Sequence, residues 1–391
     1  MLKKSTNKTN DYTGNNSVKL ISGGSPFFAE LEKLIDQSLK SLHFQFYIFD
    51  DDETGTRVAE TLVRAARRGV QIYVLLDGYA SRSLKDETIL MLEDAGVHFR
   101  WFQPLFSGNN FFIGRRMHHK VVVADARHSL VSGVNISNRY NDMPDEPAWL
   151  DWAASASGEV SLQLHNLCVQ MWFKRPPLQS HPNVSMAGIG QCQIRVRVND
   201  WARNKNEISR SYIEMFRNAQ TNITIMSSYF LPGRLFRKNL LLAAKRGIHI
   251  KIILTKVSDI FIAKQAEKFF YPWLLKRNIE IYEYRKKVLH GKMATCDGQW
   301  VTVGSYNFND LSTYASVELN LDVKDAEFSQ STDDALERIM NEDCDKITKE
   351  SLEQQTYWWH KFFYRVAYAL SRLMLVVFTF RFTHGGIRRY K

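Results

Sequence analysis

Cysteine is scarce in this 391-residue chain. Cys168, Cys192, Cys296 and Cys344 stand far apart, and no two form a Cys-x-x-Cys pair. A disulfide framework is therefore excluded as the basis of the fold, and a reducing, cytosolic setting is the default. No Cys/His set has zinc spacing, so no metal is expected. Residues 1–16 lack an apolar core region and are not a secretory signal; residues 1–17 read as a disordered leader. No apolar run approaches the ~18 residues a membrane-spanning helix needs. From Gln355 onward there is no acidic residue, while seven basic ones occur there, which places most of the net charge of +11 in the tail. No recognisable nucleic-acid module is present, which weighs against a nucleic-acid partner.

What is present is a large apolar complement, 45% of residues, enough to bury a sizeable core in two or three domains. Strand-like and helix-like stretches alternate. Residues 18–21 suit a strand, and Ser25-Pro26 suits a helix N-cap with proline at the first helical position. Strands are expected over 42–49, 70–76 and 97–102, with a helix over 56–68 between the first two. Ala65-Ala66-Arg67-Arg68-Gly69-Val70-Gln71-Ile72 returns as Ala243-Ala244-Lys245-Arg246-Gly247-Ile248-His249-Ile250. The strand at 42–49 corresponds to 223–230, and Asn278 takes the place of Gly96 as a left-handed cap. This is an internal α/β repeat. It divides the chain into a first domain over 18–173, a Pro/Ser/Gly-rich linker over 174–190, a second domain over 191–350 and a tail over 351–391.

Each half ends in the same device. His118, Lys120, Asp125 and Asn135 recur at identical offsets as His290, Lys292, Asp297 and Asn307. On a strand, residues two apart share a face, so each histidine projects beside a lysine. Asp297-Gly298 is a hairpin-turn pair. A titratable imidazole, a cation and neutral hydrogen-bond groups suit chemistry on a phosphate. A lone His-x-Lys would be an ordinary core or surface histidine; two copies in register within a repeat are not. A lysine next to each histidine also argues against a metal centre.

This doubled HxKxxxxD pattern resembles the phospholipase D superfamily, and the resemblance covers both halves. It implies two pseudo-symmetric α/β sandwich domains with one active site at their interface, working without a cofactor. It further implies a phosphohistidine route, with His118 as nucleophile and His290 as general acid/base; the reversed assignment stays open. Lys120 and Lys292 would hold the phosphate oxygens, with Asn135, Asn307 and Ser305 adding hydrogen bonds. One departure stands out: Gly304-Ser305 in the second copy faces Ser132-Gly133 in the first, so Ser305 has no equivalent. Asp125 and Asp297 are counted with the catalytic residues, although the same position suits a turn former. An acid downstream of each motif would fix the histidine tautomer; Glu318 and Asp151 are the candidates.

Over its length the sequence is most similar to bacterial cardiolipin synthases of the shorter B type. Shared stretches are Leu75-Leu76-Asp77-Gly78-Tyr79, Arg115-Arg116-Met117-His118, Leu289-His290-Gly291-Lys292 and the Trp358-Trp359 tail. The implied reaction transfers a phosphatidyl group from one phosphatidylglycerol to another and releases glycerol. Phospholipase D hydrolysis and a phosphodiesterase or nuclease remain as alternatives. Three stretches bear on the substrate. A loop with paired aromatics and arginines, 106–116, precedes His118. An apolar stretch, 259–275, reads as core with a possible acyl-chain groove. In the tail, Lys361, Arg365, Tyr368 and Arg372 share one helix face, with Trp358, Phe362 and Leu373 on others. That pattern fits an interfacial anchor on an anionic phospholipid membrane, at the cytoplasmic face of the bacterial cell membrane.

Overall fold

A computed structural model of the chain describes residues 12–104, 106–107, 110–111, 115–174, 189–309, 316–355 and 357–385. Most of the expected linker, 175–188, lies outside these residues, as does much of the loop before His118.

The first half contributes β1 (Asn16–Ser22), β2 (Ser41–Phe46), β3 (Gln71–Asp77), β4 (His98–Phe102), a short hairpin of β5 (Phe106–Ser107) and β6 (Asn110–Phe111), β7 (Arg116–Met117), β8 (Lys120–Ala124), β9 (His128–Ser132) and β10 (Trp152–Gly158). The second half contributes β11 (Gln193–Asp200), β12 (Lys205–Asn206), β13 (Asn222–Ser227), β14 (His249–Val257), β15 (Glu280–Val288), β16 (Met293–Cys296), β17 (Trp300–Gly304), β18 (Ser316–Lys324) and β19 (Cys344–Ile347). The first sheet runs β1-β10-β9-β8-β2-β3-β4. The second contains β11-β18-β17-β16-β13-β14-β15, the same order strand for strand, extended by β12 and β19 at its edges. In each, three strands run parallel (β2-β3-β4 and β13-β14-β15) and the motif hairpin (β8-β9 and β16-β17) runs antiparallel. Parallel neighbours require crossovers, which the helices Glu53–Arg67 and Arg234–Lys245 supply. The repeat seen in the sequence is thus a repeat of topology.

One apolar core joins the halves. Met117, Val121, Trp152 and Val160 of the first cluster with Met226, Met293, Val301 and Leu319 of the second. The outer helices close two further cores, one around Phe28, Phe44 and Leu62, the other around Tyr212, Phe216 and Leu240. The joint is also made by backbone. β7 pairs in parallel with β18, Arg116 opposite Ser316 and Met117 opposite Val317. Leu150 bridges to Leu289.

Local chemistry explains the element ends. Asn278 and Gly96 both take positive φ, +54° and +90°, as left-handed caps. Asp297 and Gly298 both have positive φ, the geometry of a two-residue hairpin turn. Asp52 caps the helix Glu53–Arg67 by accepting from the Gly55 amide at 2.9 Å. Two expectations are corrected. Ser25 does not cap the first helix; it is the first helical residue, and the Asp142 carboxylate accepts from its amide at 2.8 Å. Nor do residues 12–17 belong to a disordered leader. Thr13 pairs with Ile194, and buried Asn16 accepts from the Val160 amide and donates to the Cys192 carbonyl, tying the start of β1 to both halves. All four cysteines are free and buried.

Candidate active site

Each histidine sits on the chain just before its motif strand, and each is held by the opposite half. The amides of His118 and His119 both donate to the Val317 carbonyl of β18. The amides of His290 and Gly291 both donate to the Leu150 carbonyl. The side chains are exchanged in the same way. His118 Nδ1 lies 2.8 Å from Glu318 Oε2, and His290 Nδ1 lies 2.6 Å from Asp151 Oδ2. Each acid follows one motif in sequence and serves the other motif's histidine in space. A carboxylate on Nδ1 holds that nitrogen protonated and leaves Nε2 as the reactive atom.

The electrostatics join these groups into one site. Burial lowers the His118 pKa, and the charges of Lys120 and Lys292 lower it further against the pull of Glu318. Burial and Lys292 lower His290 to about 4, with Lys120 of the other half adding to the effect. Burial brings Lys120 down to about 7, with repulsion from Lys292 next. Lys292 falls to about 8, again mainly through burial. Burial would raise the Asp151 carboxyl, but Lys292 and His290 overcome it and hold it below the usual range. Two buried ammoniums with depressed pKa values form a site that gains when an anion enters.

Lys292 Nζ bonds Ser228 Oγ at 2.9 Å and also reaches the His290 carbonyl. Lys120 Nζ bonds the His118 carbonyl at 2.6 Å and lies over the Tyr47 ring. Ser305 Oγ donates to Glu318 Oε2 at 2.5 Å, so it steadies the acid behind His118. The missing hydroxyl in the first half has a steric cause. A Cβ on Gly133 would lie 2.4 Å from Asp151 Oδ1, the space the second half gives to Ser305. Asn135 accepts from the Ile48 amide at 3.1 Å and also bonds Tyr140. Among the described residues, Asn307 Oδ1 and Glu318 Oε1 are buried without a partner.

Two expected catalytic residues are elsewhere. Asp125 lies five residues beyond Lys120, roughly 16 Å along a strand. Its carboxylate accepts from the amides of Leu39, Lys40 and Ser41. Asp297 repeats this with Gln220, Thr221 and Asn222. Both are corrected to structural roles: they lock the motif hairpin to the start of the neighbouring parallel strand. The paired arginines before His118 are also committed. Arg115 binds Asp200 through two bonds, at 2.9 and 2.5 Å, and Arg116 bonds Asp77 and the Gln103 carbonyl.

Sequence reasoning missed the aromatic wall. Tyr140 Oη lies 3.5 Å from His290 Nε2, and the Trp149 ring is 6.0 Å from the same imidazole. The Tyr47 ring meets His118 edge-on at 4.8 Å. Tyr47 could have been found, because it immediately follows the apolar strand that neighbours the motif; Tyr140 and Trp149 carry no spacing signal.

This geometry has close relatives. The family described as "Cardiolipin synthase, PLD-like domain" matches residues 31–172 and 212–340, one match per half. The chain belongs to this family. Cardiolipin synthase B of Shigella flexneri is 33% identical over 351 residues, covering 88% of this chain and 85% of that protein. The probable cardiolipin synthase YwiE of Bacillus subtilis is 28% identical, covering 83% of this chain and 66% of that one. In fold, the chain resembles the crystal structure of phosphatidylserine synthase from Haemophilus influenzae Rd KW20, with TM-score 0.70, 13% identity and coverage of 93% and 95%. Each matched segment begins and ends within a helix, the first holding His118 and Lys120 and the second His290 and Lys292.

Proposed function

We propose that the protein is a cardiolipin synthase, transferring a phosphatidyl group from one phosphatidylglycerol to another with release of glycerol. The observation that carries this reading is the pair of buried His–Lys sets, each histidine oriented by the other half's acid. In the proposed mechanism Lys120 and Lys292 bind the non-bridging phosphate oxygens. His118 Nε2 attacks phosphorus, and the bond from phosphorus to the glycerol oxygen breaks. His290 gives that oxygen its proton. The glycerol leaves, and His290 takes a proton from the hydroxyl of a second phosphatidylglycerol. That hydroxyl then attacks phosphorus, the phosphorus–nitrogen bond breaks, and His118 is restored. The phosphate's negative charge opposes the repulsion that depresses His290, so substrate binding favours the protonated acid.

The asymmetry of the site supports His118 as nucleophile. Its acid is steadied by Ser305, whereas Tyr140 Oη stands at His290 Nε2, where a proton would be passed. The side chains of His118 and His290 are 16% and 9% exposed, a confinement that favours a lipid hydroxyl over bulk water as acceptor. If water wins instead, the same steps yield phosphatidic acid.

The tail supports action at a membrane. Trp358, Phe362, Phe363, Leu370 and Leu373 of the helix Trp358–Gly385 are exposed, as are Ile260, Phe261 and Ile262 beside it. Among the described residues no helix is long and apolar enough to cross a membrane. Peripheral binding at the anionic, cytoplasmic face of the bacterial membrane follows from this reading.

A p-nitrophenyl phosphodiester tests the roles, because its leaving group needs no acid. His290→Ala should give a stoichiometric burst of p-nitrophenol and then stall as a covalent adduct; His118→Ala should give none. The opposite pattern would reverse the assignment, and no burst from either variant would contradict a covalent route.

A further inference from the structure

The tail helix packs on the second domain along one seam. Tyr368 stacks on Phe269 at 4.9 Å, and Tyr364 and Ala367 are buried. Beside this seam a cleft of about 530 Å³ opens between the tail helix, the helix Lys349–Gln355 and the segment from Lys268 to Lys276. That volume lies within the range of small-ligand sites.

Its lining is strongly one-signed. Lys268 and Lys276 come from the core, Lys349 from the intervening helix, and Lys361 and Arg365 from the tail; Glu353 is the one acid lining it. Among the described residues none of these five cations is in an ion pair, although other lysines and arginines pair with carboxylates, Lys256 with Asp345 and Lys264 with Glu267 and Glu283 among them. Four of the five are exposed and Lys268 is half-buried, so together they present a positive surface that an anion would neutralise. Burial lowers the Lys268 pKa against the pull of Glu283 and Glu267, a direction that an anion in the cleft would reverse. The rest of the lining is largely apolar, with Phe269, Trp273 and Leu352. The Arg277 guanidinium lies over the Trp273 ring at 4.4 Å and donates to the Trp273 carbonyl, which fixes that wall. Phe362 and Val366, which directly follow Lys361 and Arg365 on the tail helix, are exposed.

We propose that this cleft binds the phosphate headgroup of an anionic phospholipid that is not being turned over, fastening the tail helix to the catalytic core at the membrane surface. The proposal deepens the membrane reading of the tail and rests on it. The five cations supply the phosphate site, and the apolar wall leads the lipid's glycerol and acyl portions toward the aromatic face. It is separate from the two-histidine site, since none of its lining residues contacts His118 or His290.

The test uses the full chain carrying His118→Ala, so that no lipid is consumed. Flotation with phosphatidylcholine vesicles containing increasing phosphatidylglycerol measures affinity. Lys268→Ala with Lys276→Ala removes the core side of the cleft without touching the tail. Lys238→Ala with Lys245→Ala removes two exposed lysines outside it. The cleft pair should weaken binding by about tenfold or more beyond the control pair, each lysine at a membrane surface contributing roughly 1 kcal/mol. Thermal unfolding without lipid should be unchanged in both. Equal losses from the two pairs would overturn the proposal in favour of general surface attraction. Competition by inorganic phosphate or glycerol 3-phosphate, with vesicle binding unaffected by the cleft pair, would make the occupant a free anion and also overturn it. Failure of the parent chain to bind phosphatidylglycerol vesicles would instead sink the membrane reading beneath it.

Discussion

Two carboxylates and one glycine set the character of the site. Asp151→Asn and Glu318→Gln keep shape but remove the acceptor that fixes each Nδ1–H. Loss of the correct tautomer should cost roughly 10²- to 10⁴-fold in turnover with little change in thermal stability. Steady-state rates beside melting curves check this. Gly133→Ser would drive a Cβ against Asp151 Oδ1, and so should depress activity through His290, whereas Ser305→Ala acts through Glu318 and His118. Asp125→Ala and Asp297→Ala should behave differently. Each removes an acceptor from three backbone amides, so each should lower stability by about 2 kcal/mol while leaving the chemistry of the folded fraction near normal. Equal loss of turnover per folded molecule would return them to the catalytic set. The sequence could not decide this, because an Asp at that offset looks the same whether it faces the phosphate or the strand beside it.

The lysines add a pH prediction. With Lys120 near 7 and Lys292 near 8, the empty site loses positive charge as pH rises through that window. A bound phosphodiester raises both pKa values, so binding takes up protons. Affinity for a non-reactive phosphodiester should be greatest below about pH 7 and fall above about pH 8; calorimetry in buffers of different ionisation enthalpy reads the uptake. Stability moves in the other sense. His43 and His119 are held at about 3 and His290 at about 4 by burial, below the ordinary 6.5. Below pH 6.5 the unfolded chain binds more protons at these positions, so stability should fall from about pH 6.5 downward toward 4.

At the scale of elements, the repeat was legible because its punctuation is local. Asp297-Gly298 at the hairpin, Gly96 and Asn278 at the caps, and the His-Lys alternation all act within a few residues. The expected strands at 42–49 and 223–230 were too long by about three residues, since the apolar run continues past Phe46 and Ser227 after the backbone has left the sheet. Which acid serves which histidine was not legible, because the pairing crosses between the halves through β18 and the Leu150 bridge. The tail was half legible. Its helix was expected, but Tyr368 was placed on the charged face, whereas it stacks on Phe269. Tyr368→Ala should loosen the tail by about 1–2 kcal/mol, seen as faster amide exchange in the helix Trp358–Gly385 with the core unchanged.

At the scale of the molecule, two α/β halves share one core, and each half's histidine is held by the other half's acid. The positive charge divides by place: Lys120 and Lys292 are buried beside the two histidines, while Lys361, Arg365 and Arg372 of the tail stand at the surface beside exposed aromatics. The central claim is that these features serve phosphatidyl transfer without a metal. The most direct measurement is product analysis by mass spectrometry after incubating the purified protein with phosphatidylglycerol vesicles and EDTA, beside His118→Ala and His290→Ala. Cardiolipin and glycerol from the unmodified chain alone is the predicted result. Phosphatidic acid in place of cardiolipin, or no lipid turnover at all, would contradict it.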